Sequence, residues 1–245
     1  DIDISDTKFE GNQAHGNADT GNAQGGAIGV HPGSSQMSMN IENCLFDNNS
    51  VYCEADGAGA SGSAIDIQPK NPDSWTGIQP FLIKECIFKN NWSEGISDNN
   101  WLGGTVRTGW NTHIYNSLFY ENRIQHGSSE GGGTIAVAFS FNPSTSEPNN
   151  VFANNTIVGN FGSNASGAMN ASPLDFWNSQ AIVFNNIIWD NNGDNGGVYF
   201  GGENGVKYND YNNIQYKWGD NNDFGPNTFQ LQPKFKNPSS GNYQL

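Results

Sequence analysis

The chain is 245 residues long and carries 10 Lys plus Arg against 24 Asp plus Glu, a formal net charge of −14. Such a surface repels nucleic acid and anionic membrane, both of which need Lys and Arg to displace condensed counterions, and it disfavours a polyanionic glycan unless divalent cations bridge the two. Neutral partners fit better, with a solvated acidic face that binds nothing as the alternative.

In chain order, the sequence opens on Asp1-Ile2-Asp3-Ile4, which already alternates like a strand. We therefore expect that a leader, and with it an upstream capping segment, has been removed, and that the chain is a piece of a larger protein. Next comes a motif that recurs along the chain, a large apolar residue followed three positions later by asparagine. The pairs are Phe9/Asn12, Phe46/Asn49, Phe88/Asn91, Phe119/Asn122, Ile157/Asn160 and Ile188/Asn191. After each pair a polar stretch leads to a strand that opens on small residues, as in Gly25-Gly26-Ala27-Ile28, Gly62-Ser63-Ala64-Ile65, Gly103-Gly104-Thr105-Val106, Gly132-Gly133-Thr134-Ile135, Ser166-Gly167-Ala168-Met169 and Gly196-Gly197-Val198-Tyr199. The apolar anchors lie 37, 42, 31, 38 and 31 residues apart, which is the period range of solenoids.

Each period reads as three short strands: a lead-in strand such as Phe81-Leu82-Ile83 or Ala181-Ile182-Val183-Phe184, the anchor strand, and the small-residue strand. Helix fits poorly, because Asn-rich turns follow the anchors within four residues. The elements repeat in one direction, so equivalent strands should stack in parallel, about 4.8 Å apart. Stacking predicts an interior column of Phe9, Phe46, Phe88 and Phe119 continued by Ile157 and Ile188. It also predicts a ladder of Asn12, Asn49, Asn91, Asn122, Asn160 and Asn191 at an inner corner, where each amide bonds to its neighbours. Turn preference alone is the rival explanation for these asparagines. A second row of small residues sits two positions before the anchors: Thr7, Cys44, Cys86, Ser117, Asn155 and Asn186. Cys44 and Cys86 then form a buried free-thiol pair or, less compatibly with strand spacing, a disulfide.

Segments such as Asn43-Cys44-Leu45-Phe46-Asp47-Asn48-Asn49 before Gly62-Ser63-Ala64-Ile65 resemble the repeats of right-handed parallel β-helix proteins of the pectin-lyase-like class, above all large bacterial surface proteins with FxxN and GGAI repeats. The ending from Pro233 to Leu245 is similar to the closing segment of many such proteins, with lysine where leucine is usual. The resemblance implies an all-β, single-stranded right-handed parallel β-helix of about six to seven coils over 1–245, with 209–245 as an atypical capping segment. It also implies a secreted or cell-surface setting in a bacterium. It does not fix a chemistry, because the class includes lyases, hydrolases, adhesins and proteins without activity.

Several clusters could carry function. One residue past the buried aliphatic of the small-residue strand lies an outward row, Gly29, Asp66, Arg107, Ala136, Asn170 and Phe200. Asp66 beside Arg107, with His113 and Trp110 just beyond, is either a catalytic group for proton abstraction or glycosidic cleavage, or a surface ion pair. No second carboxylate is expected on that row. The row after the anchors, Glu10, Asp47, Lys89, Tyr120, Val158 and Trp189, offers two acids on adjacent coils that could share a proton or a cation, or stay solvated. Asp190, Asn192 and Asp194 start like a calcium loop, but Asn195 and Gly201 break the EF-hand pattern, leaving a non-EF Ca²⁺ site or plain turns. Of the seven tryptophans, Trp75, Trp92, Trp101, Trp110, Trp177 and Trp218 fall in or beside loops, as loop cover or as sugar-stacking platforms, for which Trp75, Trp92, Trp101 and Trp110 are the candidates.

The leading expectation is thus a non-catalytic extracellular segment serving adhesion, glycan contact or a stalk. A lyase or glycoside hydrolase acting around Asp66, Arg107 and His113 is the first alternative, and self-association through the coil ends is the second.

Overall fold

The computed structural model describes residues 1–17, 21–31, 37–54, 58–68, 80–96, 101–109, 111–126, 132–139, 150–164, 167–168, 170–176, 181–192, 198–199, 208–215, 217–218 and 226–244. The protein is all-β, with no α-helix among these residues and one 3₁₀ turn at Pro238–Ser240. Its strands form four sheets, which the chain visits in fixed order before returning to the first. Each return adds a strand parallel to the last, an arrangement compatible with a β-helix or solenoid.

The first sheet runs from Ile2–Ser5 through Met39–Glu42, Phe81–Lys84 and Thr112–Tyr115 to Tyr208–Asp210. The second carries the anchors, from Lys8–Glu10 and Leu45–Asp47 to Asn213–Ile214. The third comprises Gln13–Gly16, Ser50–Cys53, Trp92–Gly95, Arg123–His126 and Phe161–Asn164. The fourth begins as pairs of short strands, such as Gly59–Ser61 with Ile65–Ile67, and continues as the longer Gly132–Phe139 and Asn170–Phe176.

Two expectations are corrected. A period holds more than three strands, because the polar stretch after each anchor is itself the third sheet. Its strands put small or apolar side chains inward (Val51, Ser93, Ile124) and polar ones outward, so their composition reads as loop. The opening Ser166-Gly167-Ala168-Met169 is not the start of a fourth-sheet strand. Gly167–Ala168 instead turns back antiparallel on Phe161–Asn164.

The corners explain the register. A single residue of positive φ turns the chain between first and second sheets (Asp6, Asn43, Glu85, Asn116, Asn154, Asn185, Tyr211) and again between second and third (Gly11, Asn48, Asn90, Glu121, Gly159, Asp190). Asn is the commonest residue at these corners, because its short amide tolerates the left-handed region. The residue after each second corner is a ladder asparagine, and the amides bond from Nδ2 to Oδ1 at 2.8, 2.9, 2.9, 2.9 and 2.8 Å from Asn12 through to Asn191. Each inner Nδ2 also donates to an anchor carbonyl, as Asn122 does to Phe88 at 2.9 Å. A second ladder follows the first corner, with Asn155 and Asn186 accepting from the backbone N–H of Ser117 and Asn155, and Asn212 accepting from Asn186, each at 2.9 Å.

Phe9, Phe46, Phe88 and Phe119 stack with centroids 4.8, 4.8 and 4.6 Å apart, and Ile157 and Ile188 continue the column in register. Each buried side chain of this size contributes roughly 1.5–3 kcal/mol. Cys44 and Cys86 are buried free thiols on adjacent levels, and burial pushes the Cys86 thiol up to about 12. Between the third and fourth sheets a separate small-residue core forms around Val51, Ala60, Leu102 and Ile124. The chain entering the fourth sheet approaches the third so closely there that a Cβ on Gly26 would lie 2.7 Å from the carbonyl oxygen of Ser50 in the third sheet. At Gly62 and Gly104 (φ 62° and 57°) the fourth sheet kinks through a left-handed turn that L side chains avoid.

Asn122→Ala orphans the buried amide and N–H of Asn91 together with the Phe88 carbonyl. It should cost about 3 kcal/mol or more in a urea unfolding curve, at ~1–3 kcal/mol per orphaned group. Asn12→Ala, at the exposed end of the ladder, should cost less than about 1 kcal/mol, because water replaces the lost amide. Equal losses at the two positions would contradict the ladder account.

Candidate functional site

The outward row of the fourth sheet reads, by register, Gly29, Asp66, Arg107, Ala138, Asp175, Tyr199 and Trp218. This corrects the expected Ala136, Asn170 and Phe200. Strand Gly132–Phe139 enters earlier than its glycines suggest, Gly103 pairs with Thr134, and the register shifts again between Thr134 and Val137. Ala136 is consequently a core residue, and Phe200 lies outside the described residues. The row gains a second carboxylate, Asp175, that counting from the small-residue openings misses. The alternating run from Ser172 to Phe176 was the signal available for it.

Asp66 is fully buried. Ser61 Oγ donates to its Oδ2 and Gln68 Nε2 to its Oδ1, both at 2.7 Å. Arg107 Nη1 lies 4.0 Å from Oδ2 and donates to Ser61 Oγ at 3.0 Å, while His31 Nε2 stands 3.6 Å from Oδ1. Burial raises the Asp66 carboxyl above the usual range, against the pull of Arg107 and of the two hydrogen bonds. Burial likewise lowers the Arg107 guanidinium, opposed by Asp66. Both carboxylate oxygens of Asp66 are thus occupied by donors from its own surroundings, an ionic hub that draws on three successive levels.

Asp175 differs. Thr134 Oγ1 donates to its Oδ2 at 3.2 Å, but its enclosed Oδ1 has no hydrogen-bond partner among the described residues. Burial pushes its carboxyl up to about 7. Asp66 and Asp175 are three strands apart on the row, about 14 Å at the usual strand spacing.

Of the proposed catalytic residues, the structure brings Asp66 and Arg107 together and places His113 on the first sheet, between Leu82 and Val151, with Tyr115 Oη 3.3 Å from its Nδ1. Trp75 and Trp110 lie outside the described residues, and Trp101 opens a fourth-sheet strand opposite Gly59. Asp190 occupies a left-handed corner and Asn192 bridges Phe161, but Asp194 is outside the described residues, so the three are not seen together. No cluster of three or more His, Cys, Asp or Glu suited to a metal occurs among the described residues. Glu10 pairs with Lys8 at 2.6 Å and Asp47 with Lys89 at 3.1 Å, so each of these acids has a cation beside it.

The outer face of the third sheet is the other candidate. Gln13, Ser50, Trp92, Arg123 and Phe161 form one row, and His15, Tyr52, Glu94, Gln125 and Ser163 the next. The Arg123 guanidinium lies 5.3 Å from the Trp92 ring centre, and the His15 and Tyr52 rings are 5.0 Å apart. His15, Ser50, Tyr52, Trp92 and Glu94 edge a hollow of about 410 Å³. Desolvation first, then the charges of Glu54 and Glu94, raise the Tyr52 hydroxyl above its usual value, so it is a neutral donor at ordinary pH. Exposed rings beside amide, hydroxyl and carboxylate groups can stack on the C–H face of a sugar while bonding its hydroxyls. Sequence reasoning singled out Trp92 but missed its company, because the third sheet was hidden. Compared with known proteins, the chain matches no family model, no curated protein and no solved structure.

A carboxyl whose folded-state value is raised binds its proton more tightly in the native protein, so stability falls as pH rises from the unfolded value of about 4 to about 7. Asp175→Asn should remove this slope and stabilise the protein at pH 8 by up to about 4 kcal/mol. Urea unfolding of both proteins between pH 4 and 8 checks it, and parallel pH profiles would refute the assignment.

Proposed function

We propose that this chain is a right-handed, single-wound parallel β-helix segment of a secreted or surface-borne bacterial protein. It works without catalysis, by contacting neutral glycan on the outer face of its third sheet. The observation that carries this reading is the hollow around Trp92, where the His15, Tyr52 and Trp92 rings lie beside amide, hydroxyl and carboxylate groups on one sheet. The laddered interior supports it, because a stiff scaffold holds such rows at fixed spacing and reduces the ordering cost of binding an extended chain. The net charge of −14 favours an uncharged ligand over a polyanion.

The lyase or hydrolase reading fits the geometry less well. Asp66 is engaged by Ser61 and Gln68, His113 sits on another sheet, and Asp66 and Asp175 at about 14 Å exceed the roughly 5–9.5 Å between paired glycosidase carboxyls.

A neutral glycan array probed with the whole chain should show binding, and Trp92→Ala should weaken it by about tenfold or more, the loss of one stacked ring. Tyr52→Phe should weaken it less, because the ring remains. Absence of any glycan binding, or undiminished binding by Trp92→Ala, would overturn the proposal.

A further inference from the structure

The C-terminal stretch 226–244 returns over the outer face of the second sheet and is fixed to it at two places. Near its start, Leu231 exchanges hydrogen bonds with the Asn213 side chain, N–H to Oδ1 at 3.0 Å and Nδ2 to the Leu231 carbonyl at 2.7 Å, and Phe229 bridges Asn213 through the backbone. Near its end a small loop closes through Lys236 N–H to the Gln244 carbonyl at 2.8 Å and through the Asn237–Asn242 bridge. That loop sets Tyr243 with its ring centre 5.3 Å from Tyr120 of the sheet and 5.3 Å from Phe235.

Between these fixings the segment spans a cleft of about 800 Å³ instead of packing down, within the ~300–1,000 Å³ of small-ligand sites. Val158 and Trp189, neighbours in register on the second sheet, lie along one side. Phe235 and Tyr243 come from the tail, and the amides of Gln215 and Gln232 also line the cleft. Among the described residues that line it, one cation, Lys234, is matched by one carboxylate, Asp190. Neither the Gln232 amide nor the Lys234 ammonium is committed to another described residue, whereas Gln215 Oε1 accepts from Asp190 N–H at 2.5 Å.

We infer that this cleft is a second binding site, for a short neutral oligosaccharide of about disaccharide size. Ring faces from both walls suit the C–H faces of pyranoses, a free primary amide suits a pair of hydroxyls, and a wall without net charge disfavours an ionic ligand. An apolar ligand would leave the Gln232 amide and Lys234 ammonium to be desolvated without partners, which is costly. The inference does not depend on the third-sheet reading, since the two sites share no residue.

The test is titration of the whole chain with cellobiose, maltose, lactose and mannobiose, followed by tryptophan fluorescence and by ligand-observed NMR. At least one sugar should change the fluorescence. That change should vanish in Trp189→Ala, require about tenfold more sugar in Gln232→Ala, and persist in Trp92→Ala. Gln232 is exposed, so its variant should keep the wild-type melting temperature and reads the site even if Trp189→Ala fails to fold. No response to any of the four sugars, or a response unchanged in Gln232→Ala, would overturn the inference. A response abolished by Trp92→Ala but intact in both cleft variants would overturn it too, while leaving the third-sheet proposal standing.

Discussion

The hydrogen bond between successive ladder asparagines is the constraint on which the rest of the structure depends. A carboxamide reaches its copy on the next level only if the two corners lie directly above one another at strand spacing. Five such contacts of 2.8–2.9 Å run from Asn12 to Asn191, so the corners are held in line along the stack. Alignment of the corners fixes the register of the second and third sheets on either side. The phenylalanines then have little choice but to stack ring on ring, at 4.6–4.8 Å. Levels of 37, 42, 31, 38 and 31 residues can share one cross-section because the surplus residues fall away from these corners, on the approaches to and exits from the fourth sheet.

An interior held so uniformly leaves the outward rows free to differ. On the first and second sheets each row carries one cross-strand ion pair, Lys84 beside Glu42 at 2.9 Å and Lys89 beside Asp47 at 3.1 Å, and then turns to aromatic and apolar residues. On the fourth sheet Asp66 is fully buried and one oxygen of Asp175 is enclosed, so satisfaction of polar groups becomes the controlling issue. Asp66 meets it with Ser61, Gln68 and Arg107, whereas Asp175 leaves one oxygen unpartnered and responds by holding its proton toward neutral pH. The same scaffold thus gives one carboxylate a structural task and leaves the other, three strands along the row, titratable.

What the sequence revealed follows from this division. Positions that must repeat were readable from offset alone: the anchors, the first ladder, and the glycine openings at Gly62 and Gly104. The second ladder was half-visible, since Asn155 and Asn186 were seen only as the small residues preceding an anchor. The third sheet was hidden, because strands such as Trp92–Gly95, with serine and glycine facing inward, carry too little apolar signal to register as strands. The fourth-sheet row was readable as far as Arg107 and lost beyond it, where two short strands merge into one and the register shifts between Thr134 and Val137. Asp175 and the hollow around Trp92 became recognisable only once neighbouring levels had been aligned in three dimensions.

The distribution of cations bears on what such a surface can recognise. Lys8, Lys84 and Lys89 each face a carboxylate, Arg107 is enclosed beside Asp66, and Arg123 lies over Trp92. These groups are spent on neutralising or orienting the protein's own side chains, and an anionic chain arriving from solution would have to compete for them. The two hollows combine aromatic rings with amide or hydroxyl groups, together with Glu94 in one and the opposite charges of Lys234 and Asp190 in the other. Ligand hydroxyls can replace water on such groups at little electrostatic cost, whereas a carboxylate or phosphate would meet the field of a strongly acidic molecule. Under the proposed reading, discrimination in favour of uncharged, hydroxyl-rich ligands would come from where the few positive charges are held as much as from their number.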